Sequence, residues 1–162
     1  MSYQMPYSTN MISKHSRRED EVYGIIGEHL KKATFLFWVD GIAVFLSNEI
    51  VEGASSCLTT RLRNTKTGVF EFVIFVSEKI MADKDTADMV IAHELGHIRL
   101  GESCFYLDDL DVEIQADKFA MEYLDLSGDE ARDLMTEGFV VMGIDLEHED
   151  IAARLRAFDR YV

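Results

Sequence analysis

The sequence predicts an α+β fold: a small, mostly antiparallel sheet packed against a central helix and further helices. Three observations lead there. Runs rich in aromatic and β-branched residues cluster between Phe35 and Val76, and such runs, bounded by turn residues, read as strands. The segments after Val76 repeat their apolar residues at three- and four-residue spacing, which is the helical period. The order is helix, strands, helices, with no strand–helix alternation to build parallel βαβ units.

Length and charge bound what such a fold does. The 162 residues suit one domain with a real core, read as a loose arm over 1–14 and a single domain over 15–162. A formal charge of −14 argues against direct nucleic-acid binding, because neutralising phosphates needs a basic patch. It permits a basic protein partner. Cys57 and Cys104 do not make the disulfide framework of a secreted protein. The longest apolar runs are about ten residues, against roughly 20 for a membrane span, and no signal peptide is visible in the first residues. No partner is expected from a membrane, and the sequence carries no reading of oligomeric state.

In chain order, Ser16 to Glu19 makes a capping box. It opens a helix to about Ala33, with Val22, Ile25, Ile26 and Leu30 on one face. His29 on that helix has no neighbour at ligand spacing. Phe35 to Leu46 reads as two short strands about an Asp40-Gly41 turn, with Trp38 either in the core or lining a groove. Cys57 to Arg63 and Val69 to Val76 form a hairpin around Asn64 to Gly68. Asp83 or Asp85 caps the next helix, Asp85 to Leu100, and Gly101 ends it. Ala87, Ile91, Leu95 and Ile98 make its apolar face, while Asp88 and Arg99 fall on a third, solvated side. A helix follows from about Leu110 to Leu126. Ser127 to Glu130 is a second capping box, starting a helix to Phe139 or Met142. After a turn at Gly143 to Asp145, a last helix begins near Glu147, with Ile151, Ala152, Leu155 and Phe158 on one face and His148 at its start.

The chemistry concentrates in His93-Glu94-Leu95-Gly96-His97. Residues four apart on a helix stand one turn apart on nearly the same face, so His93 and His97 can present ring nitrogens to one metal ion. Glu94 lies about 100° round the helix from His93, placed to reach a water at the metal without being a ligand. Two histidines and an acid that accepts a proton form the arrangement of zinc peptidases. A third protein ligand is needed. The longer pattern H-E-x-x-H-x-x-G-x-x-H fails, since Leu100 stands at its glycine and Ser103 at its third histidine. Cys104 is chemically able to bind zinc but reads better as a lone buried thiol. Glu102 and Asp108 are further alternatives. Glu113 suits best: Glu113, Asp117, Ala120 and Leu124 share one face of the following helix, and Ala116 and Ala120 let two helices approach. Asp117, one turn past Glu113, can accept the spare N–H of a ligand histidine and fix its tautomer. Tyr106, Tyr123 and His148 are candidates for stabilising an oxyanion, and the sequence does not choose among them.

His93-Glu94-Leu95-Gly96-His97 followed by Glu113-x-x-Ala116-Asp117-x-Phe119-Ala120 resembles the ImmA/IrrE metallopeptidases. The resemblance covers about Asp85 to Leu126 and departs after Ala120, where Met121-Glu122-Tyr123-Leu124-Asp125 replaces a Leu-Met-Pro run common in that family. It implies a zincin-like fold, Zn²⁺ as cofactor, a cytoplasmic setting and a protein substrate, often a phage-type or mobile-element repressor that binds DNA. In such enzymes the strand before the active-site helix borders the cleft. The free edge of Val69 to Val76 would then pair with an extended peptide, unless the run is an ordinary core strand. The motif pair also resembles the M48-type peptidases, commonly anchored by transmembrane helices. Two other readings stand beside the enzyme: a non-proteolytic anti-repressor that keeps the metal fold and sequesters its partner, and a metal-free helical module with a chance motif.

Overall fold

A computed structural model describes residues 33–47, 57–63, 70–100 and 110–161. The expected arm, the first helix with its capping box and His29, the Asn64–Gly68 loop, Gly101, Glu102, Cys104, Tyr106 and Asp108 lie outside the described residues.

Strands β1 (Thr34–Val39) and β2 (Ile42–Leu46) form the predicted hairpin. Asp40 and Gly41 both take positive φ, 48° and 79°, as a two-residue type I′ turn demands. One irregularity interrupts the ladder: Phe35 pairs with Phe45, whereas Phe37 pairs with Val44. The extra residue, Leu36, turns Phe35 and Phe37 to opposite faces of the sheet. Phe37 joins the core on one face. Phe35 joins an aromatic row on the other, with ring centroids 5.7 Å from Phe45, which lies 5.8 Å from Phe75. Trp38 is half-buried at the end of that row, 5.7 Å from Phe35.

Strands β3 (Cys57–Arg63) and β4 (Phe70–Val76) pair antiparallel, with Arg63 opposite Phe70. The sheet order is β1-β2-β4-β3, with β2 and β4 parallel. The sheet is therefore mixed but mostly antiparallel, and the chain between the parallel strands contains β3. Val73 to Val76 are all buried, because β4 is central and apolar on both faces. Its expected free edge is absent: β2 occupies one side and β3 the other. The edges of the described sheet belong to β1 and β3.

Ser77 caps a short helix α1 (Glu78–Met81), and Asp83 caps α2 (Lys84–Arg99), its Oδ1 accepting from Thr86 N at 2.8 Å. The stripe Ala87, Val90, Ile91 and Leu95 packs on Phe37, Val39, Val44, Ile74 and Val76. On its other side α2 sends Met89 and Ala92 into a second core, with Ala120, Met121, Leu124, Ala131, Met135, Phe139 and Phe158. Apart from Leu124, just past α3, those residues come from α3 (Leu110–Tyr123), α4 (Gly128–Val141) and the 3₁₀ turn Phe158–Arg160, which follows α5 (Glu149–Ala157). Sheet and helices thus enclose α2 in the α+β, zincin-like arrangement expected. Asp88 is a correction. It is only 5% exposed, so the side that periodicity left to solvent is covered in the fold. Lys84, one turn earlier and largely exposed, reaches back to it at 2.6 Å. Arg99 is exposed as expected and meets Asp40 at 3.4 Å. The second capping box closes in both directions, Ser127 Oγ accepting from Glu130 N and Ser127 N donating to Glu130 Oε2. No helix among the described residues is long and apolar enough to cross a membrane.

Candidate metal centre

Helices α2 and α3 touch where α2 carries a glycine. A Cβ on Gly96 would sit 3.0 Å from Ala116 Cα and O and 3.2 Å from Phe119 Cβ. Only a residue without a side chain permits that approach. Ala116 and Ala120 are fully buried at the same seam.

The seam brings four predicted side chains together. His93 and His97 place their Nε2 atoms 3.0 Å apart, with the rings edge to face. Glu113, from α3, closes the triangle: Oε2 lies 3.3 Å from His93 Nε2 and Oε1 3.2 Å from His97 Nε2. One turn along, Asp117 Oδ1 lies 2.7 Å from His93 Nδ1. A carboxylate can only accept there, so Nδ1 carries the proton, and Nε2 is the nitrogen that faces Glu113 and His97 and is left to bind a metal. Two ring nitrogens 3.0 Å apart must share either a proton or a cation. A tetrahedral ion with metal–ligand distances of about 2.0–2.1 Å holds its donor atoms about 3.3 Å apart; here each Nε2 has one Glu113 oxygen at that spacing, and one donor atom from each residue lies within 4.8 Å of the other two. Nitrogen and oxygen donors in a two-histidine, one-carboxylate set suit zinc. By donor set and spacing, His93, His97 and Glu113 can hold a metal ion.

The electrostatics agree. Burial opposes a charge on His93, yet Asp117 and Glu113 push its pKa up to about 9. Burial also disfavours the Glu113 charge, but His93, His97 and Arg154 hold that carboxyl well below the usual range. Asp117 is likewise lowered: against burial stand the Arg154 guanidinium and His93. The site is built for positive charge.

Arg154 was not foreseen as a site residue. It comes from α5, pairs with Asp117 and Glu113, and lies over the Phe139 ring. A signal existed: Ile151, Arg154, Leu155 and Phe158 follow the i, i+3, i+4, i+7 spacing of an inward face. A cation on such a face needs buried acids. Glu94 is half-buried beside His93, near enough that its charge helps raise the pKa of Arg154 against the cost of burial.

No family model, curated protein or solved structure matches this chain.

The centre therefore stands on its own geometry: a cluster able to chelate a metal, as a metal-dependent catalytic site requires. Two of the three oxyanion candidates are engaged in other contacts. Tyr123 is ten residues past Glu113, about 15 Å along the helix. Its hydroxyl bonds to Asp40, and burial together with that carboxylate pushes its pKa up to about 12. His148 is exposed and caps α5, its Nδ1 accepting from Asp150 N at 3.3 Å.

Proposed function

We propose that this chain is a zinc-dependent endopeptidase of the ImmA/IrrE kind, acting in the cytoplasm on a regulatory protein such as a DNA-binding repressor. The observation that carries the reading is the convergence of His93 Nε2, His97 Nε2 and the Glu113 carboxylate on one point, with Glu94 next to His93. The H-E-L-G-H and E-x-x-A-D motifs support the peptidase class and the repressor substrate by resemblance. The charge of −14 supports a protein substrate over a nucleic acid.

When bound, zinc supplies a Lewis acid that lowers the pKa of water to about 7 and polarises a carbonyl. The chain supplies the rest. His93, His97 and Glu113 would hold the ion, a three-ligand set of the kind that keeps the fourth position for water or substrate. Asp117 accepts the Nδ1–H of His93, keeping that ring in the ligating tautomer. The Glu94 carboxylate takes a proton from the attacking water and delivers it to the leaving amine as the peptide bond breaks.

The test is Glu94→Gln, which keeps shape and metal while removing the proton acceptor. Loss of a positioned acid–base group costs about 10²–10⁴-fold in rate, so cleavage of a co-expressed repressor nearly vanishes while repressor binding persists. Wild type, Glu94→Gln and His93→Ala are compared for repressor fragments and reporter output. Reporter release by Glu94→Gln at the wild-type level, with no fragments from either protein, would replace the peptidase by the sequestering anti-repressor.

A further inference from the structure

We propose that Arg154 is a positioning residue of the metal centre, tying the C-terminal helix α5 to the ligand set through Asp117; this rests on reading His93, His97 and Glu113 as metal ligands. The guanidinium meets Asp117 as a fork, with Nε 2.8 Å from Oδ2 and Nη2 2.7 Å from Oδ1. Its remaining terminal nitrogen, Nη1, lies 3.0 Å from Glu113 Oε2. One planar cation therefore spans Glu113 and Asp117 of α3. The Arg154 side chain is 11% exposed, and its guanidinium carbon is 4.9 Å from the Phe139 ring centroid, so ring and acids together restrict its rotation.

The consequence runs in one direction. The fork sets the plane of the Asp117 carboxylate. Asp117 Oδ1 accepts from Arg154 and also from His93 Nδ1, so that plane sets the imidazole and aims its Nε2. A lysine offers a compact charge on a flexible stem and cannot reproduce two parallel bonds. A buried pair can serve stability alone. Here the carboxylate gripped by the fork is the one already bonded to a ligand histidine, and the spare nitrogen goes to a ligand carboxylate.

The test measures zinc affinity, by titration of the full chain against a competing chelator, together with the histidine-ring ¹⁵N spectrum. The proteins are wild type, Arg154→Met, Arg154→Lys, Asp117→Asn and the double variant Arg154→Met/Asp117→Asn. Partners that orient ligands typically contribute about 10–100-fold in metal affinity, so Arg154→Met is expected to weaken zinc binding by that factor, with Arg154→Lys recovering little of it. In zinc-loaded wild type the His93 Nδ1 proton is hydrogen-bonded and slow to exchange; in Arg154→Met it exchanges faster. Because Arg154 acts mainly through Asp117, and only its single bond to Glu113 remains to be lost once Asp117 is replaced, the double variant binds within about fivefold of Asp117→Asn. That comparison decides even if Arg154→Met does not fold, since the double variant removes both buried charges and leaves neither unpaired. Zinc affinity within about twofold of wild type for folded Arg154→Met, or for Asp117→Asn, overturns the proposal while leaving the metal site standing. So does full rescue by Arg154→Lys, or a double variant far weaker than Asp117→Asn. A wild type that takes up no zinc overturns the metal reading and this proposal together.

Discussion

Gly96 shows how much one missing methyl group decides. In an exposed helix, Gly→Ala stabilises by about 1 kcal/mol through propensity. Here the added Cβ meets backbone atoms of Ala116 at 3.0 Å, and a helix backbone cannot step aside as a side-chain tip can. Overpacking costs about 1–3 kcal/mol, so Gly96→Ala is expected to lower stability despite its better propensity. It also moves Glu113 away from the two Nε2 atoms, and zinc affinity falls with the melting temperature. Thermal melts and a zinc titration check both; a Gly96→Ala protein that melts higher and binds zinc normally contradicts the close seam. At this scale the sequence is legible where helical geometry does the reading. His93 and His97, like Glu113 and Asp117, are four residues apart, so each pair shares a face before any tertiary structure is known. Arg154 is 37 residues from Asp117, and no local period links them. Asp88 was misplaced for the converse reason: a wheel of α2 shows which residues share a side, not how many sides have neighbours.

At the scale of elements, α2 depends on the residue that caps it. Asp83 stands before α2 and accepts from Thr86 N, one of the donors that a helix leaves unpaired. That bond to Thr86 holds the Asp83 pKa below its ordinary value of 3.8. A lowered carboxylate stabilises the fold above its unfolded pKa and loses that contribution as pH falls through the folded one. The melting temperature of Asp83→Ala is therefore expected below wild type at neutral pH, with the gap constant down to about pH 4 and closing below it. Melts of both proteins across that range provide the check, and a gap that widens in acid refutes the cap. Turn and capping chemistry made these boundaries readable: Asp40-Gly41 and the Ser127–Glu130 box fall where they were expected. The Leu36 irregularity and the central place of β4 were not readable. The first depends on which faces of β1 and β2 are covered. The second depends on which strand fills the gap beside β2, a long-range choice that a single apolar run does not encode.

At the scale of the molecule, the two cores on either side of α2 are built from apolar packing, and Arg154 offsets the buried acids without help from a metal. The fold is thus expected to survive chelation. A ligand at about 100 times its Kd adds roughly 2.7 kcal/mol. Metal removal should therefore lower the melting temperature by several degrees while leaving the far-ultraviolet circular dichroism intact. Cooperative unfolding on chelation at room temperature would show that the ion, not the cores, holds the helices together. The parallel pairing of β2 with β4 belongs to this scale too, since strand order emerges only when the sheet is assembled against α2. The central claim is that His93, His97 and Glu113 form one metal site. It is tested most directly by zinc bound per chain, measured on wild type and Glu113→Ala purified side by side and titrated against a chelator. The account predicts about one tightly held zinc for wild type, and a strong loss of affinity for Glu113→Ala, because two neutral imidazoles hold the ion poorly. Full zinc occupancy and unchanged affinity in Glu113→Ala would contradict it.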